Sequence, residues 1–470
     1  MKLSSLILSA VAGSALVIPS EQVLEDVAIE DHHHEPGWYE RVVSEKDHLI
    51  SSSKESLGQY YDELKEKSKE SWAEVSAYSN SVIDDAFEKA NEMADSVSEK
   101  TNDAFSEIES AAGDMYEALD DKHKPHHPPH HKPNLTVYQL IAGSKYTTKL
   151  AKLISEYDDL VDALNSTKAN YTVFAPTDKA FEKIPDKAPK PSKEQLKAIL
   201  SYHVVPDFYP ALRVLSSHTF PTLLKSDSLG SEPLPQRLAV RLGLRGLTVN
   251  FFSRIIAINI FGTNGVIHGI DSLLIPPPNA IEIVDLFPGA FSTLELGLQK
   301  TGLLDKLNTT DHAGGTFFAP NNDAFAKLGP KANAFLFSKY GLKYLKALLE
   351  YHVVPDNTLY SDAFYKADGS EELLNVPKGI AHVDLPTLLE DRSLSIDVAR
   401  YGGLIEIKIN GFNRVAVQDV VAEDAVIHVL TNVIIPPKKL GGDEVSWRGE
   451  ELSVEDLKER LEPYVPKADL

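Results

Sequence analysis

Residues Tyr171–Phe181 read YTVFAPTDKAF, and Gly315–Phe325 repeat the pattern as GTFFAPNNDAF. In each copy a short run rich in aromatic and β-branched residues ends at Ala-Pro, and a further phenylalanine follows five residues later. Such a run predicts a short strand, because proline cannot donate a hydrogen bond to a continuing ladder. A pattern this specific, present twice, indicates a duplicated module.

Two further blocks repeat in the same order. Tyr202–Pro206 and Tyr351–Pro355 both read YHVVP, and Gly265–His268 (GVIH) is matched by Ala425–His428 (AVIH). The period of about 150 residues indicates tandem globular domains, since solenoid repeats are only about 20–50 residues long.

Helical patterns precede strand patterns in both copies. Leu135–Leu164 and Lys193–Ser201 have the apolar spacing of helices, whereas Leu247–Ile260 and Val266–Ile275 are rich in β-branched residues. The second copy repeats this order at Leu342–Leu349, Gly403–Val421 and Val426–Ile435. Helices followed by strands predict an α+β domain with an antiparallel sheet.

The three blocks together resemble the signature segments of the fasciclin (FAS1) domain. The resemblance covers about residues 134–439 and implies two tandem FAS1 β-wedge or sandwich domains with flanking helices, at 134–279 and 280–439. It also implies a role in cell adhesion or matrix contact. The residues that carry the structural signature are Phe174, Pro176, Phe181 and His268 in the first copy, and Phe318, Pro320, Phe325 and His428 in the second.

The pairs Tyr202–His203 and Tyr351–His352 match the Tyr-His motif of the family and are the candidate binding residues. Animal members of the family use this region to bind integrin. The present chain more closely resembles fungal secreted members, so we do not carry that partner over. Each pair also lies between an amphipathic helix and an apolar strand, where a buried tyrosine ring is favoured. Ligand contact and structural support are therefore both open interpretations.

Two turns depart from the family pattern. Asn250–Phe251 stands where the second copy keeps Asn410–Gly411, and Asp424–Ala425 replaces the Asn264–Gly265 of the first copy. Because glycine adopts positive φ without steric cost, we expect both turns to be rebuilt where it is missing.

Residues 1–15 have the features of a secretory signal peptide, with Lys2 before the apolar run Leu3–Val11 and small residues at Gly13–Ala15. No other stretch has the 18 or more apolar residues of a membrane span. With secretion, the four Asn-x-Ser/Thr sequons predict N-glycosylation. They lie at Asn134, Asn165, Asn170 and Asn308. Asn165 and Asn308 hold equivalent places in the two copies, so we expect these two sites to be modified first.

Residues 16–121 form an acidic arm for which the sequence predicts long helical structure. Apolar residues recur every eleven positions, and eleven residues make three helical turns, so the columns stay on one face. The columns are Trp72, Ile83, Ala94, Phe105, Tyr116; Val75, Ala86, Val97, Ile108, Leu119; and Val82, Met93, Ala104, Met115. The stripe could pack on the protein itself, mediate self-association, or bind a lipid surface, although the acidic opposite face would be repelled by anionic lipid.

Residues 122–133, KHKPHHPPHHKP, form a linker that proline keeps extended. It predicts a polar spacer between the arm and the repeats. A second interpretation is a Zn²⁺ or Cu²⁺ site at His126, His127, His130 and His131. Residues 440–470 are assigned to an acidic C-terminal tail.

The composition argues against several classes of partner and chemistry. A net charge of −22 opposes binding to nucleic acid or anionic membranes, and the absence of cysteine excludes thiol chemistry. The recurrent histidines lie within apolar runs with no matched carboxylate or nucleophile beside them, so we expect no enzyme activity and no cofactor.

We therefore expect a secreted or cell-wall adhesion protein that binds protein or glycan through its two domains. The alternative is a scaffold in the vacuole or another secretory-pathway lumen that self-associates through the arm.

Overall fold

The computed structural model describes residues 134–184, 191–243, 246–307, 313–373, 378–401, 404–440, 443–445, 447 and 452–465. The predicted signal peptide, the arm, the linker with its four histidines, and Asn308 lie outside these residues.

The first module begins with three short helices, as the spacing predicts, and continues into a sheet. Its helices are α1 Val137–Gly143, α2 Thr148–Ile154, α3 Asp158–Asn165, α4 Asp178–Phe181, α5 Lys193–Tyr202 and α6 Ala211–Ser216. Its strands are β1 Tyr171–Pro176, β2 Val204–Val205, β3 Thr219–Ser226, β4 Leu234–Gly243, β5 Gly246–Val249, β6 Ser253–Gly262 and β7 Gly265–Ile270. Helix α5 starts at a capping box, in which Ser192 and Gln195 satisfy each other's backbone N–H groups.

The seven strands form one sheet in the order β2-β1-β7-β6-β5-β4-β3. Strands β1 and β7 are parallel, with Phe174 opposite His268, whereas the other pairs are antiparallel. The expectation of an antiparallel sheet is therefore wrong for this one pair. The long connection between β1 and β7 provides the crossover that parallel pairing requires, and it places two of the three sequence blocks on adjacent strands.

The core of this module lies on both sides of β1 and β7. Val137, Ile141 and Leu164 belong to the cluster that the first three helices cover, and Phe174 and Phe220 belong to a second cluster toward β3–β5. The signature segments thus run through the centre of the domain, where both faces of a strand are buried.

The second module repeats this plan. Its helices are α7 Ala280–Leu286, α8 Pro288–Lys300, α9 Leu303–Leu307, α10 Asn322–Lys327, α11 Gly329–Leu336 and α12 Leu342–Glu350. Its strands are β8 Gly315–Pro320, β9 Val353–Pro355, β10 Thr358–Leu359, β11 Ala363–Tyr365, β12 Glu371–Leu373, β13 Lys378–Pro386, β14 Ser393–Tyr401, β15 Leu404–Ile409, β16 Asn413–Val421 and β17 Val426–Leu430. The large sheet has the order β13-β14-β15-β16-β17-β8-β9, again with a parallel pair, β8 and β17. Both modules are α+β, as predicted.

The assigned C-terminal tail is a structural part of the second module. Strands β18 Lys438–Leu440 and β19 Asp443–Val445 form a hairpin, and helix α13 Val454–Leu461 is followed by a 3-10 turn at Glu462–Tyr464. Leu457 and Leu461, four residues apart on one face of α13, are fully buried in the core of the module. The boundary at residue 439 is therefore too early, because the charged composition of the segment concealed its short apolar face.

The two altered turns behave differently. Asn250 and Phe251 keep positive φ angles of 48° and 68°, close to the 53° and 72° of Asn410–Gly411, so the expectation of a rebuilt turn is wrong there. Ala425 is absent from the positive-φ residues of the described chain, so the turn is rebuilt at that point. Phe251 thus adopts a backbone conformation that disfavours a bulky side chain.

Candidate functional site

The Tyr-His segment of the first module lies at the end of helix α5. Tyr202 is fully buried, and its hydroxyl donates to the Arg237 carbonyl at 2.9 Å and accepts from Asn250 Nδ2 at 2.8 Å. The ring thereby joins α5 to β4 and to the turn that follows β5.

His203 continues this support through both ring nitrogens. The Leu274 N–H donates to Nε2 at 3.0 Å, so Nδ1 carries the proton and donates to the Ile199 carbonyl at 2.7 Å. Burial lowers the pKa of His203 to about 4, while the bond to Ile199 acts in the opposite direction. The imidazole is therefore neutral near pH 7 and has a single tautomer.

The second module reproduces these contacts. Tyr351 is buried, and its hydroxyl accepts from Asn410 Nδ2 at 3.1 Å. His352 Nδ1 donates to the Leu348 carbonyl at 2.8 Å, and its Nε2 accepts from the Ile434 N–H at 2.9 Å. Burial again lowers the pKa of His352 to about 4.

All four side chains of the Tyr-His pairs are at most 2% exposed. Their burial favours the structural interpretation, in which they hold a helix end against the sheet. A direct ligand contact through Tyr202, His203, Tyr351 or His352 stays a prediction.

In each module the ring of the signature histidine packs against the ring of a signature phenylalanine. The ring centroids of Phe174 and His268 are 5.7 Å apart, and those of Phe318 and His428 are 5.5 Å apart. His268 Nε2 lies 2.8 Å from the Tyr209 carbonyl, and burial lowers the pKa of His268 and of His428. Pro176 and Pro320 are buried at the ends of their strands, Phe325 is fully buried, and Phe181 is half-buried.

Ser361, Asp419 and His428 lie together in the second module, but they do not form a nucleophilic triad. The Ser361 hydroxyl donates to the Asp419 carboxylate at 2.5 Å rather than to the imidazole. His428 Nδ1 accepts from the Asp419 N–H at 3.3 Å, which leaves Nε2 to donate to the Leu359 carbonyl at 2.7 Å. With both ring nitrogens bonded to main-chain groups, His428 has no position from which to deprotonate the serine.

The contact between the two modules contains a buried charge. Arg237 on β4 is 2% exposed, and its Nη1 lies 2.7 Å from Glu371 Oε1 and 3.2 Å from the Tyr365 hydroxyl. Its Nε donates to Thr219 Oγ1 at 2.7 Å. Asp362 lies 4.0 Å from the guanidinium group and accepts the Thr219 N–H at 2.8 Å. Burial acts to lower the pKa of Arg237, but Tyr365, Asp362 and Glu371 outweigh it and raise that pKa.

Main-chain and apolar contacts between the two modules surround Arg237. We call Arg237, its partners and these contacts the junction. Gln236 Nε2 donates to the Ala422 carbonyl at 2.6 Å, and the Gly314 N–H donates to the Ser228 carbonyl at 2.8 Å. One apolar cluster is shared by both modules: Leu229, Leu234 and Ala239 with Tyr360, Ala363, Tyr365, Val421 and Val426. An unpaired buried charge would be costly, so these contacts define one arrangement of the modules.

Phe251 belongs to the same contact. Its ring packs against the apolar core of the second module and lies 4.9 Å from the Arg241 guanidinium carbon. The residue with the unfavourable positive φ is therefore also one whose ring contacts the other module. Sequence reasoning missed these residues. The one available signal was Arg237 itself, the single charged residue in the largely apolar stretch Leu234–Val240.

The sequons differ in accessibility. Asn134 and Asn170 are exposed, whereas Asn165 is half-buried and its Oδ1 accepts from Thr136 Oγ1 at 2.8 Å. Within the described part of the chain, no group of three or more His, Cys, Asp or Glu side chains could hold a metal ion. The linker histidines proposed for such a site lie outside that part.

Two α+β modules with buried aromatic-histidine signatures and a shared core define a tandem-domain protein. A family model for the Fasciclin domain matches residues 145–276 and again residues 289–436, together more than half of the chain. The chain belongs to the fasciclin family, and the sequence-based assignment is confirmed.

Three known proteins are similar to this chain. Aurofusarin biosynthesis cluster protein S of Gibberella zeae is 31% identical over 368 residues, covering 73% of this chain and 88% of the relative. Fasciclin-like arabinogalactan protein CTB11 of Cercospora beticola is 29% identical over 316 residues, covering 64% and 76%. A FAS1 domain pair from the insect cell adhesion molecule Fasciclin I has 21% identity and a TM-score of 0.31, covering 61% of this chain and 95% of that chain.

Proposed function

We propose that this chain is a secreted adhesion or interaction protein, placed outside the cell or in the cell wall, that binds a protein or glycan ligand through its two FAS1 domains. Membership of the fasciclin family supports this function, since such domains are linked to adhesion and interaction in relatives. No helix in the described residues is long and apolar enough to cross a membrane.

The junction is the observation that carries the proposal. Arg237, Thr219 and Asp362 tie the modules together, so surface loops of both domains are presented at fixed spacing. A ligand that touches both modules then binds without first ordering them, which lowers the entropic cost of association. The histidines best suited to acid–base chemistry are instead bonded to the main chain, which supports binding over catalysis.

Binding of the purified full-length chain to isolated cell-wall fragments tests this function. We expect saturable binding, lost after protease treatment of the fragments if the ligand is protein and after glycosidase treatment if it is glycan. Arg237→Met should weaken binding because it loosens the junction, whereas the matched variant of an exposed arginine, Arg213→Met, should not. Absence of binding to all fragments would contradict the proposal.

A second candidate is a scaffold within the secretory pathway or vacuole. The name of the Gibberella zeae relative favours it, since that protein is assigned to a biosynthesis cluster. In that setting the chain would self-associate through its acidic arm, and the two modules would serve mainly as scaffold. An internally tagged chain that stays in an organelle would support this candidate over adhesion.

A further inference from the structure

Strand β6 of the first module exposes a row of large apolar side chains. Ile256, Ile258 and Ile260 stand at alternate positions and are 47%, 39% and 42% exposed, and Phe261 is 46% exposed. The neighbouring strand β5 pairs with β6 only at Ser253 and Arg254. A contiguous apolar row beside an open strand edge is typical of a surface that another element covers.

The second module shows how the equivalent strand is covered. Asn259 in β6 and Asp419 in β16 are both bulge residues with φ of 57°, so they hold equivalent positions in the two modules. The residues that follow them are then also equivalent: Ile260 corresponds to Val420, and Phe261 to Val421. Val420 and Val421 are each 7% exposed. Strand β4 of the first module lies against β16, where the Arg241 guanidinium donates to the Gln418 carbonyl. A strand of the first module therefore covers this strand of the second module.

The segment that precedes the first module is the acidic arm, and it enters beside the exposed row. The Leu135 carbonyl accepts from the Thr263 N–H at 2.8 Å, immediately after β6 ends at Gly262. Leu135 is itself 41% exposed. The chain before Asn134 therefore leaves the module next to Phe261.

The lengths of the linker and of the arm fit the row. An extended linker of about 12 residues spans up to about 37 Å at about 3.1 Å per residue, and the ten residues of β6 span about 33 Å. In the last part of the arm, five large apolar residues have the spacing that would bring them to one face of a helix: Phe105, Ile108, Met115, Tyr116 and Leu119. A helix over these fifteen positions would be about 22 Å long and would fit along the strand.

We propose that residues 105–119 of the arm form an amphipathic helix that docks on Ile256, Ile258 and Ile260 of the same chain. The helix takes the place on the first module that β4 takes on the second. Its acidic face is directed to solvent, which suits the net charge of −13 between Ser51 and Asp121, 19 acidic against 6 basic residues. A second copy of the chain is the competing occupant of the row.

Because the chain has no cysteine, an introduced pair of cysteines supplies its only thiols. The test uses full-length protein carrying Ile108→Cys with Ile258→Cys, oxidised mildly at low protein concentration. The matched control pairs Ile258→Cys with Ser110→Cys, about 200° around the predicted helix from Ile108. We expect at least about tenfold more intramolecular disulfide in the first pair, the ratio that about 1.4 kcal/mol of docking free energy supplies.

Equal yields from the two pairs would overturn the proposal, and a disulfide-linked dimer in their place would assign the row to a second copy. A separate measurement uses Ile258→Asp, which alters an exposed residue and should leave the module folded. Hydrogen exchange of amides in residues 105–119 should become several-fold faster in this variant than in wild type. Unchanged exchange would also overturn the proposal.

Discussion

The hydroxyl of Tyr202 donates its hydrogen bond to the main-chain carbonyl of Arg237, the residue whose guanidinium group lies at the junction. The Tyr-His segment and the module contact therefore share strand β4. In the second module the equivalent acceptor is the carbonyl of Ser393, 3.5 Å from the Tyr351 hydroxyl. Tyr202 thus bonds to the residue that carries the junction charge, whereas the equivalent Tyr351 bonds to an uncharged serine.

Truncation of either buried tyrosine should strongly destabilise its module. Tyr202→Ala and Tyr351→Ala each remove a fully enclosed ring, and we expect each to lower the free energy of unfolding by about 3–5 kcal/mol. Thermal melts measure the loss. Tyr146→Ala and Tyr340→Ala are matched controls, since these rings are 63% and 71% exposed, and their melts should stay close to wild type. An unchanged midpoint with lost ligand binding would instead make the Tyr-His pair a ligand site.

Removal of the junction arginine should uncouple the modules. Arg237→Met leaves Asp362 buried without its counter-ion, and we expect a loss of about 3–5 kcal/mol. Calorimetry should show two separated transitions in place of one cooperative transition. Arg213→Met removes an exposed ion pair with Asp207, worth about 0–1 kcal/mol, together with a hydrogen bond to the Phe208 carbonyl and a contact with the Tyr209 ring, all within the first module. It should therefore leave the coupling of the two modules unchanged. A single transition at the wild-type temperature for Arg237→Met would contradict this account.

Gly411 of the second module holds the position equivalent to Phe251, so a substitution there measures the cost of a side chain at positive φ. Gly411 has φ of +72° and no atom within 4 Å of an added Cβ, so Gly411→Ala changes backbone strain without a clash. We expect it to cost about 1–2 kcal/mol. Gly289→Ala in helix α8 has the same open space without positive φ and should be neutral or slightly stabilising. Denaturant unfolding distinguishes them, and equal effects would refute the strain argument.

Acid should destabilise both modules through their buried histidines. The pKa values of His203 and His352 fall from 6.5 to about 4 on folding, so between these values the unfolded chain binds more protons than the folded chain. Stability is therefore full above pH 6.5 and decreases as pH falls toward 4, by about 3 kcal/mol for each histidine.

NMR titration of the imidazole protons provides the measurement. His203 and His352 should stay neutral down to about pH 4, and titration of either near pH 6.5 in the folded protein would contradict the buried tautomers. His382 is the internal control. It is exposed, and its hydrogen bond to Asp397 raises its pKa, so it should titrate above the ordinary value.

Glycan occupancy should follow exposure in the first module. We expect Asn134 and Asn170 to be modified more fully than Asn165, because both are exposed whereas Asn165 is half-buried and its Oδ1 is held by the Thr136 hydroxyl. Peptide mass spectrometry of secreted protein, before and after glycosidase treatment, gives the occupancy of each site. Full occupancy at Asn165 with little at Asn134 and Asn170 would contradict this order.

Local patterns in the sequence predicted much of the fold. The helix ending at Tyr202 and the strands at Tyr171 and Val266 were foreseen because apolar spacing and β-branched runs are local signals. The parallel pairing of β1 with β7 was not, since it joins segments about 95 residues apart and depends on the whole domain. Helix α13 was missed because only Leu457 and Leu461 mark its buried face within charged sequence.

The candidate site was less predictable than the fold. Motif matching found Tyr202 and His203, but the local sequence does not reveal their burial, which depends on contacts with β4 and with the turn after β5. The junction was missed entirely. Arg237 and Asp362 belong to different modules, and nothing in the sequence near either residue indicates that the other faces it across a domain boundary.

The junction also gives the tandem array a direction. The Ala239 N–H on β4 donates to Asn250 Oδ1, and the Ser395 N–H on β14 donates to Asn410 Oδ1 in the same way. Ala239 is therefore equivalent to Ser395. The junction arginines Arg237 and Arg241 accordingly correspond to Ser393 and Asp397 of the second module. A head-to-tail contact is open at both ends by symmetry. Here the second module has Ser393 and Asp397 in place of the two cations, so the same charged contact could not form between it and a further module. The order of the duplicated copies is consequently not interchangeable: a permuted chain with the modules reversed would lose the charged contact and bring two unmatched faces together.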